Sequence, residues 1–153
     1  MILTIISDTH NNHKKVTGDL PGGDLLIHAG DLSSMGYEHE IREFAKWFNS
    51  LDNYTSKVFI SGNHDWGFQN NDKKIKEIIG FYKDINYLED DFMGIIEGGG
   101  PEVKIWGSPW QPSARLFRRR TPRPRSVGCL VPRTRGSRGG SRCWIPIRRT
   151  CIQ

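Results

Sequence analysis

The 153-residue sequence predicts an α/β domain over residues 1–112, followed by an arginine-rich tail over 113–153 with no regular structure. Two observations carry the fold class. Short apolar runs alternate with stretches of helical period, the pattern of strands joined by helices into a parallel sheet. Each of the first three runs ends in a polar cluster rich in Asp, His and Asn, as ligand-bearing strand ends do. A third observation sets the boundary: past residue 112 both periods stop and the charge changes sign.

The elements follow in order. Ile2–Ser7 is short and nearly continuous in apolar residues, which suits a strand buried on both faces. Asp24–His28 and Lys57–Ser61 read the same way. Ile41, Phe44, Ala45, Phe48 and Leu51 recur at helical spacing, with Glu40, Arg42, Glu43 and Lys46 between them, so a helix is expected over 37–51. Phe44, Trp47 and Phe48 belong to its core face and form no base-stacking platform. A second helix is expected over 72–82, with Ile75, Ile78 and Ile79 inward. Ile85–Leu88, Phe92–Glu97 and Val103–Trp106 are shorter strand candidates. Gly98-Gly99-Gly100-Pro101 reads as a hairpin loop, since no helix follows to make it a phosphate loop.

Composition, at 36% hydrophobic and 25% charged residues, places the chain in the soluble globular class. Its net charge of +5 averages two unlike parts. Residues 1–110 hold all 17 acidic residues and 10 of the 22 basic ones, whereas residues 111–153 hold twelve Arg and neither Lys nor acid. The run from Met1 to Ile6 is too short for a signal segment, and no stretch is long enough to span a membrane, so a cytoplasmic location is expected. Cys129, Cys143 and Cys151 are odd in number, without a Cys-x-x-Cys pair, which argues against a disulfide framework or a zinc site.

The tail admits three readings. Twelve arginines without acids can bind nucleic acid non-specifically through its phosphates. The segment can instead be an alternative terminus from splicing, or the product of a changed reading frame. The switch from Lys to Arg within a few residues favours the changed frame. Few apolar residues and high charge predict disorder.

The chemistry lies in three clusters, Asp8-Thr9-His10, Gly30-Asp31 and Gly62-Asn63-His64-Asp65. In a parallel α/β sheet, ligands bind outside the carboxyl ends of the strands, so all three clusters face one crevice. The glycines before Asp31 and Asn63 let the backbone turn sharply and bring side chains close. Carboxylate, imidazole and amide donors suit hard or borderline divalent metals such as Mn, Fe, Zn or Mg.

These clusters, with Ile5-Ser-Asp-Thr-His, Ile27-His-Ala-Gly-Asp-Leu, Gly62-Asn-His-Asp-Trp and Lys104-Ile-Trp-Gly-Ser-Pro-Trp-Gln-Pro, resemble the calcineurin-like metallophosphoesterases. The likeness is to the branch of metallophosphoesterase-domain proteins related to cyclic-nucleotide phosphodiesterases, and it covers about residues 1–112. It implies a four-layer α/β/β/α sandwich, of which these residues are the N-terminal half. It also implies a phosphoester substrate, hydrolysed as a phosphodiester or phosphomonoester with two divalent metal ions. By the same resemblance Asp8 and His10 hold the first metal, Asp31 bridges the pair and Asn63 binds the second. His64 is then the catalytic acid, and Asp65 stands behind the donors and orients a histidine.

The sequence also departs from that family. Its members supply further histidines from a second half, whereas the last of the five histidines here is His64. The site, and its second metal position above all, is therefore expected to be incomplete and the chain impaired as an enzyme. A first half alone is also expected to leave one apolar sheet face uncovered. The alternative function is a non-catalytic α/β fragment whose basic tail binds nucleic acid. Among the other residues, Gly18-Asp19 reads as a turn, His13 as a surface-loop residue, His28 as core and His39 as part of a solvated helix face.

Overall fold

The computed structural model describes residues 1–96 and 102–109 in full, and residues 143–147 by their backbone. β1 (Leu3–Ile6), β2 (Gly23–His28), β3 (Tyr54–Phe59) and β4 (Asn86–Tyr87) form one sheet in that spatial order, every pair parallel. Between the strands lie a 3-10 helix (His13–Asp19), α1 (Glu38–Asn49), the one-turn α2 (Gly67–Asn70) and α3 (Asp72–Gly80). β5 (Asp91–Ile95) and β6 (Val103–Gly107) pair antiparallel, as expected of a hairpin, and begin a second sheet. The glycine-rich loop itself lies outside the described residues.

Alternation along the central strands sorts the core into two parts. Leu26 and Phe59 face the helices, where Ile41, Phe44, Ala45 and Phe48 of α1 and Ile75, Ile78 and Ile79 of α3 cover them. Leu25, Ile27, Val58 and Ile60 face the other way, onto Leu88, Ile105, Met93 and Ile95. Helices, first sheet and second sheet make three layers among the described residues, with a parallel α/β sheet at the centre.

Two expectations change here. The second face of the first sheet is covered: Leu25, Ile27, Val58 and Ile60 are each no more than 1% exposed. The β5–β6 pair, which lies inside the first 112 residues, does the covering. β1, by contrast, is not buried on both faces. It is an outer strand of its sheet, and Ile5 stays 59% exposed while Leu3 and Ile6 pack inward.

The disorder expected over 113–153 falls largely outside the described residues. Within it, Cys143–Ile147 runs as β7, parallel to β6. Cys-Trp-Ile-Pro-Ile is the tail's most apolar stretch, and Pro146 is tolerable because β7 lies at the sheet edge. Gly18 and Asp19 end the 3-10 helix and so are not a free turn. Among the described residues, no helix is long and apolar enough to cross a membrane.

Candidate metal centre

The loops after β1 and β2 continue to pair beyond their strands. The Asp8 N–H donates to the Gly30 carbonyl at 3.0 Å and the His10 N–H to that of Asp31 at 3.1 Å. This lateral pairing brings the first two clusters side by side. Asp8, His10 and Asp31 all take positive φ, at 58°, 40° and 54°. Such angles are uncommon for residues with a side chain and mark a backbone held in place by its surroundings. The third cluster enters through a close approach: a Cβ built on Gly62 would stand 2.0 Å from Asp31 Oδ1. Only glycine lets the two loops meet there.

The outcome is a convergence of three donors, with one ligand atom from each of Asp8, His10 and Asp31 lying within 4.8 Å of the others. His10 Nε2 is 3.9 Å from Asp8 Oδ1 and 3.7 Å from Asp31 Oδ2, too far for hydrogen bonds. That spacing fits donors that each sit about 2.1 Å from one shared ion. The Asp31 side chain is fully buried, whereas Asp8 and His10 open partly to solvent. Two carboxylates facing one cleft repel each other unless a cation joins them. The donor set therefore fits a divalent metal.

Both imidazoles are aimed by backbone. His10 Nδ1 lies 3.2 Å from the Ser33 carbonyl and His64 Nδ1 lies 3.0 Å from the Ser34 carbonyl. A carbonyl only accepts, so Nδ1 carries the proton on each ring and Nε2 is left as donor atom or proton carrier. The rings meet edge to face with centroids 4.8 Å apart. The His64 N–H donates to Asp31 Oδ1 at 3.1 Å, tying the third cluster to the second. Asn63 lies half-buried in the same turn, between Gly62 and His64.

Asp65 is bonded to the loops that carry the clusters. Its buried carboxylate accepts the Gly62 N–H at 2.7 Å, the Ser33 N–H at 2.9 Å, the Ser33 hydroxyl at 2.5 Å and the Leu32 N–H at 3.3 Å. It bonds the loops themselves, and its influence on His10 passes through Ser33. Burial raises the Asp65 pKa, opposed by the bonds from Ser33 and Gly62.

The remaining histidines divide. His28 is fully buried, as expected of a core residue, with Nε2 3.0 Å from the Thr9 hydroxyl and its ring 5.1 Å from Phe44. Burial lowers its pKa to about 3. His13 is no surface residue. It is 1% exposed and packs against Trp47 and Phe44, because the 3-10 helix folds its first turn onto α1. His39 is exposed and stacks on Tyr37. Sequence reasoning passed over Ser33 and Ser34, which act through main-chain carbonyls that no side-chain pattern announces.

Comparison with known proteins identifies the family. The profile of the calcineurin-like phosphoesterase family matches residues 1–125, thirteen residues past the expected boundary at 112. Metallophosphoesterase domain-containing protein 1 of Homo sapiens is 31% identical over 122 residues, covering 70% of this chain and 36% of its own length. Probable rhamnogalacturonate lyase C of Emericella nidulans is 34% identical over 110 residues, covering 70% of this chain and 10% of its own length. The chain thus spans well under half of these curated relatives. A solved protein of unknown function from Aquifex aeolicus overlays 73% of the chain at 21% identity and a TM-score of 0.33, a likeness too loose to inform the site. On the family profile and the converging Asp8, His10 and Asp31, the chain belongs to the calcineurin-like phosphoesterase family.

Proposed function

We propose that the chain carries the first half of a site for metal-assisted phosphoester hydrolysis, with Asp8, His10, Asp31 and Asn63 as metal donors and His64 as the catalytic acid. The observation that supports it is the convergence of Asp8, His10 and Asp31 from two adjacent loops. A divalent cation bound there supplies Lewis acidity toward a phosphoryl oxygen and acidifies a water. In a full site two such ions, of Mn, Fe, Zn or Mg, would share Asp31.

The protein's own groups then have distinct tasks. The Asp31 carboxylate is shielded from bulk water, with one oxygen fixed by the His64 N–H and the other facing His10. His10 presents the Nε2 lone pair because Ser33 holds the proton on Nδ1. His64 Nδ1–H donates to the Ser34 carbonyl, so Nε2 is the atom that gains and releases a proton. As imidazolium it donates that proton to the leaving-group oxygen, and the Ser34 carbonyl steadies the positive charge.

The histidines that the family adds from its second half have no counterpart after His64. We therefore expect this 153-residue chain to turn over slowly, in the cytoplasm. The nucleic-acid-binding alternative rests on tail arginines outside the described residues and gains no support from them. The test is Mn²⁺-dependent hydrolysis of an aryl phosphodiester by the chain and by its His64→Ala variant. We expect weak, Mn²⁺-dependent turnover that falls about 100-fold or more in the variant. Equal rates in both proteins would contradict the role of His64. Fast turnover that vanishes in the variant would show that the first half suffices.

A further inference from the structure

We infer that Glu40 is a positioning residue for His10 and His64, acting through Asn11 on the Ser33–Ser34 segment that aims both rings. The inference takes its setting from the metal-site reading above, but it concerns the metal-free chain. Glu40 lies in the first turn of α1, where acidic side chains usually reach solvent, yet it is buried at 8% exposure. Its Oε2 accepts the N–H of Tyr37 at 2.9 Å and of Met35 at 3.2 Å. Its Oε1 accepts the side-chain amide of Asn11 at 2.5 Å. The same amide donates to Ser34 Oγ at 3.0 Å. One carboxylate therefore joins the loop after β1, the loop after β2 and the start of α1.

Those two loops carry the donors. Asn11 follows His10 directly, and its own N–H donates to the Leu32 carbonyl at 3.1 Å. Ser33 and Ser34 offer consecutive carbonyls, one to each imidazole. From the far side Asp65 grips the Ser33 N–H and hydroxyl. The segment is thus held by two buried acids, Asp65 directly and Glu40 through the Asn11 amide.

The plainer account makes Glu40 a helix cap. It sits three residues after Tyr37 and accepts that residue's N–H, as in half of a capping box. This accounts for the Tyr37 bond. It leaves unexplained why the other oxygen reaches a residue 29 positions away, whose backbone holds φ at 64° to meet it. Burial acts to raise the Glu40 pKa, but the bonds from Asn11, Tyr37 and Met35 prevail and bring it below the ordinary value. The acceptor therefore stays ionised at neutral pH.

Two variants separate the accounts. Glu40→Ala removes all three bonds. Asn11→Gly removes only the inter-loop link, keeps the helix cap and tolerates the left-handed backbone. Long-range ¹H–¹⁵N spectra of the metal-free chain at neutral pH report which ring nitrogen of His10 and His64 is protonated. In the wild type we expect Nδ1–H on both. In each variant we expect partial loss of that tautomer to Nε2–H, with far-UV circular dichroism unchanged. A cap alone predicts a lower Tm for Glu40→Ala and wild-type tautomers in Asn11→Gly. Wild-type tautomers in either folded variant, or Nε2–H already in the wild type, overturn the proposal. If Glu40→Ala does not fold, Asn11→Gly decides. The spectra need neither metal nor substrate, so an absence of hydrolysis leaves this result untouched.

Discussion

Asp31 concentrates the chemistry at the residue scale. It is fully buried, takes positive φ, receives the His64 N–H and faces His10, all at the point where Gly62 lacks a side chain. Gly62→Ala would place a methyl 2.0 Å from Asp31 Oδ1 and 2.3 Å from its backbone nitrogen. Something must shift, and a buried carboxylate held by backbone has little room. We expect a loss of about 1–3 kcal/mol in stability, read by urea unfolding, together with weaker Mn²⁺ binding. An unperturbed Gly62→Ala protein would mean that the two loops are looser than they look. The convergence of Asp8, His10 and Asp31 was legible in the sequence because Asp and His at strand ends have few other reasons to cluster. Asp65 was legible as a residue but not in its partners, since main-chain N–H groups leave no trace in sequence.

At the scale of elements, periodicity located the long helix and the central strands because each has a buried face that repeats. α1 spans Glu38–Asn49 where 37–51 was expected, and α3 spans Asp72–Gly80 where 72–82 was expected. The 3-10 helix and α2 are too short to show a period, which is why His13 read as a loop residue. β1 misled for another reason: its apolar run is real, but its place at the edge of the sheet depends on spatial order. His28 on β2 gives this scale its own prediction. Neutral when folded down to about pH 3, it takes a proton below about 6.5 only in the unfolded chain. Stability is therefore held above pH 6.5 and lost as pH falls, at about 1.4 kcal/mol per unit. Burial lowers His13 too, in the same direction. Urea unfolding at pH 7 and pH 5 should show a loss smaller by about 2 kcal/mol in His28→Leu than in the wild type. Equal losses would mean that His28 is not held neutral.

For the whole molecule, the sequence named the α/β class and the family, but not the cover over the first sheet. The second sheet begins at Asp91, inside the stretch read as a bare first half, and Ile105 and Met93 already cover the strands beneath. The strand pattern of β5 and β6 was visible; that the pair would fold over Leu25 and Val58 was not, because packing between sheets is a long-range contact. The arginine-rich segment remains a compositional break, and the coding DNA can test the changed-frame reading. If another frame past codon 112 reads His-Gly-Pro and then Gly-His-x-His, the missing histidines are recovered. If no other frame does so, the changed-frame reading fails.

The central claim is that Asp8, His10 and Asp31 together hold a divalent cation, and calorimetric titration of Mn²⁺ tests it most directly. We expect saturable binding to the wild-type chain, weakened more by Asp31→Asn than by Asn63→Ala, because Asp31 is the fully buried carboxylate of the group. Absence of binding to the folded wild type, or equal losses in the two variants, would contradict the account.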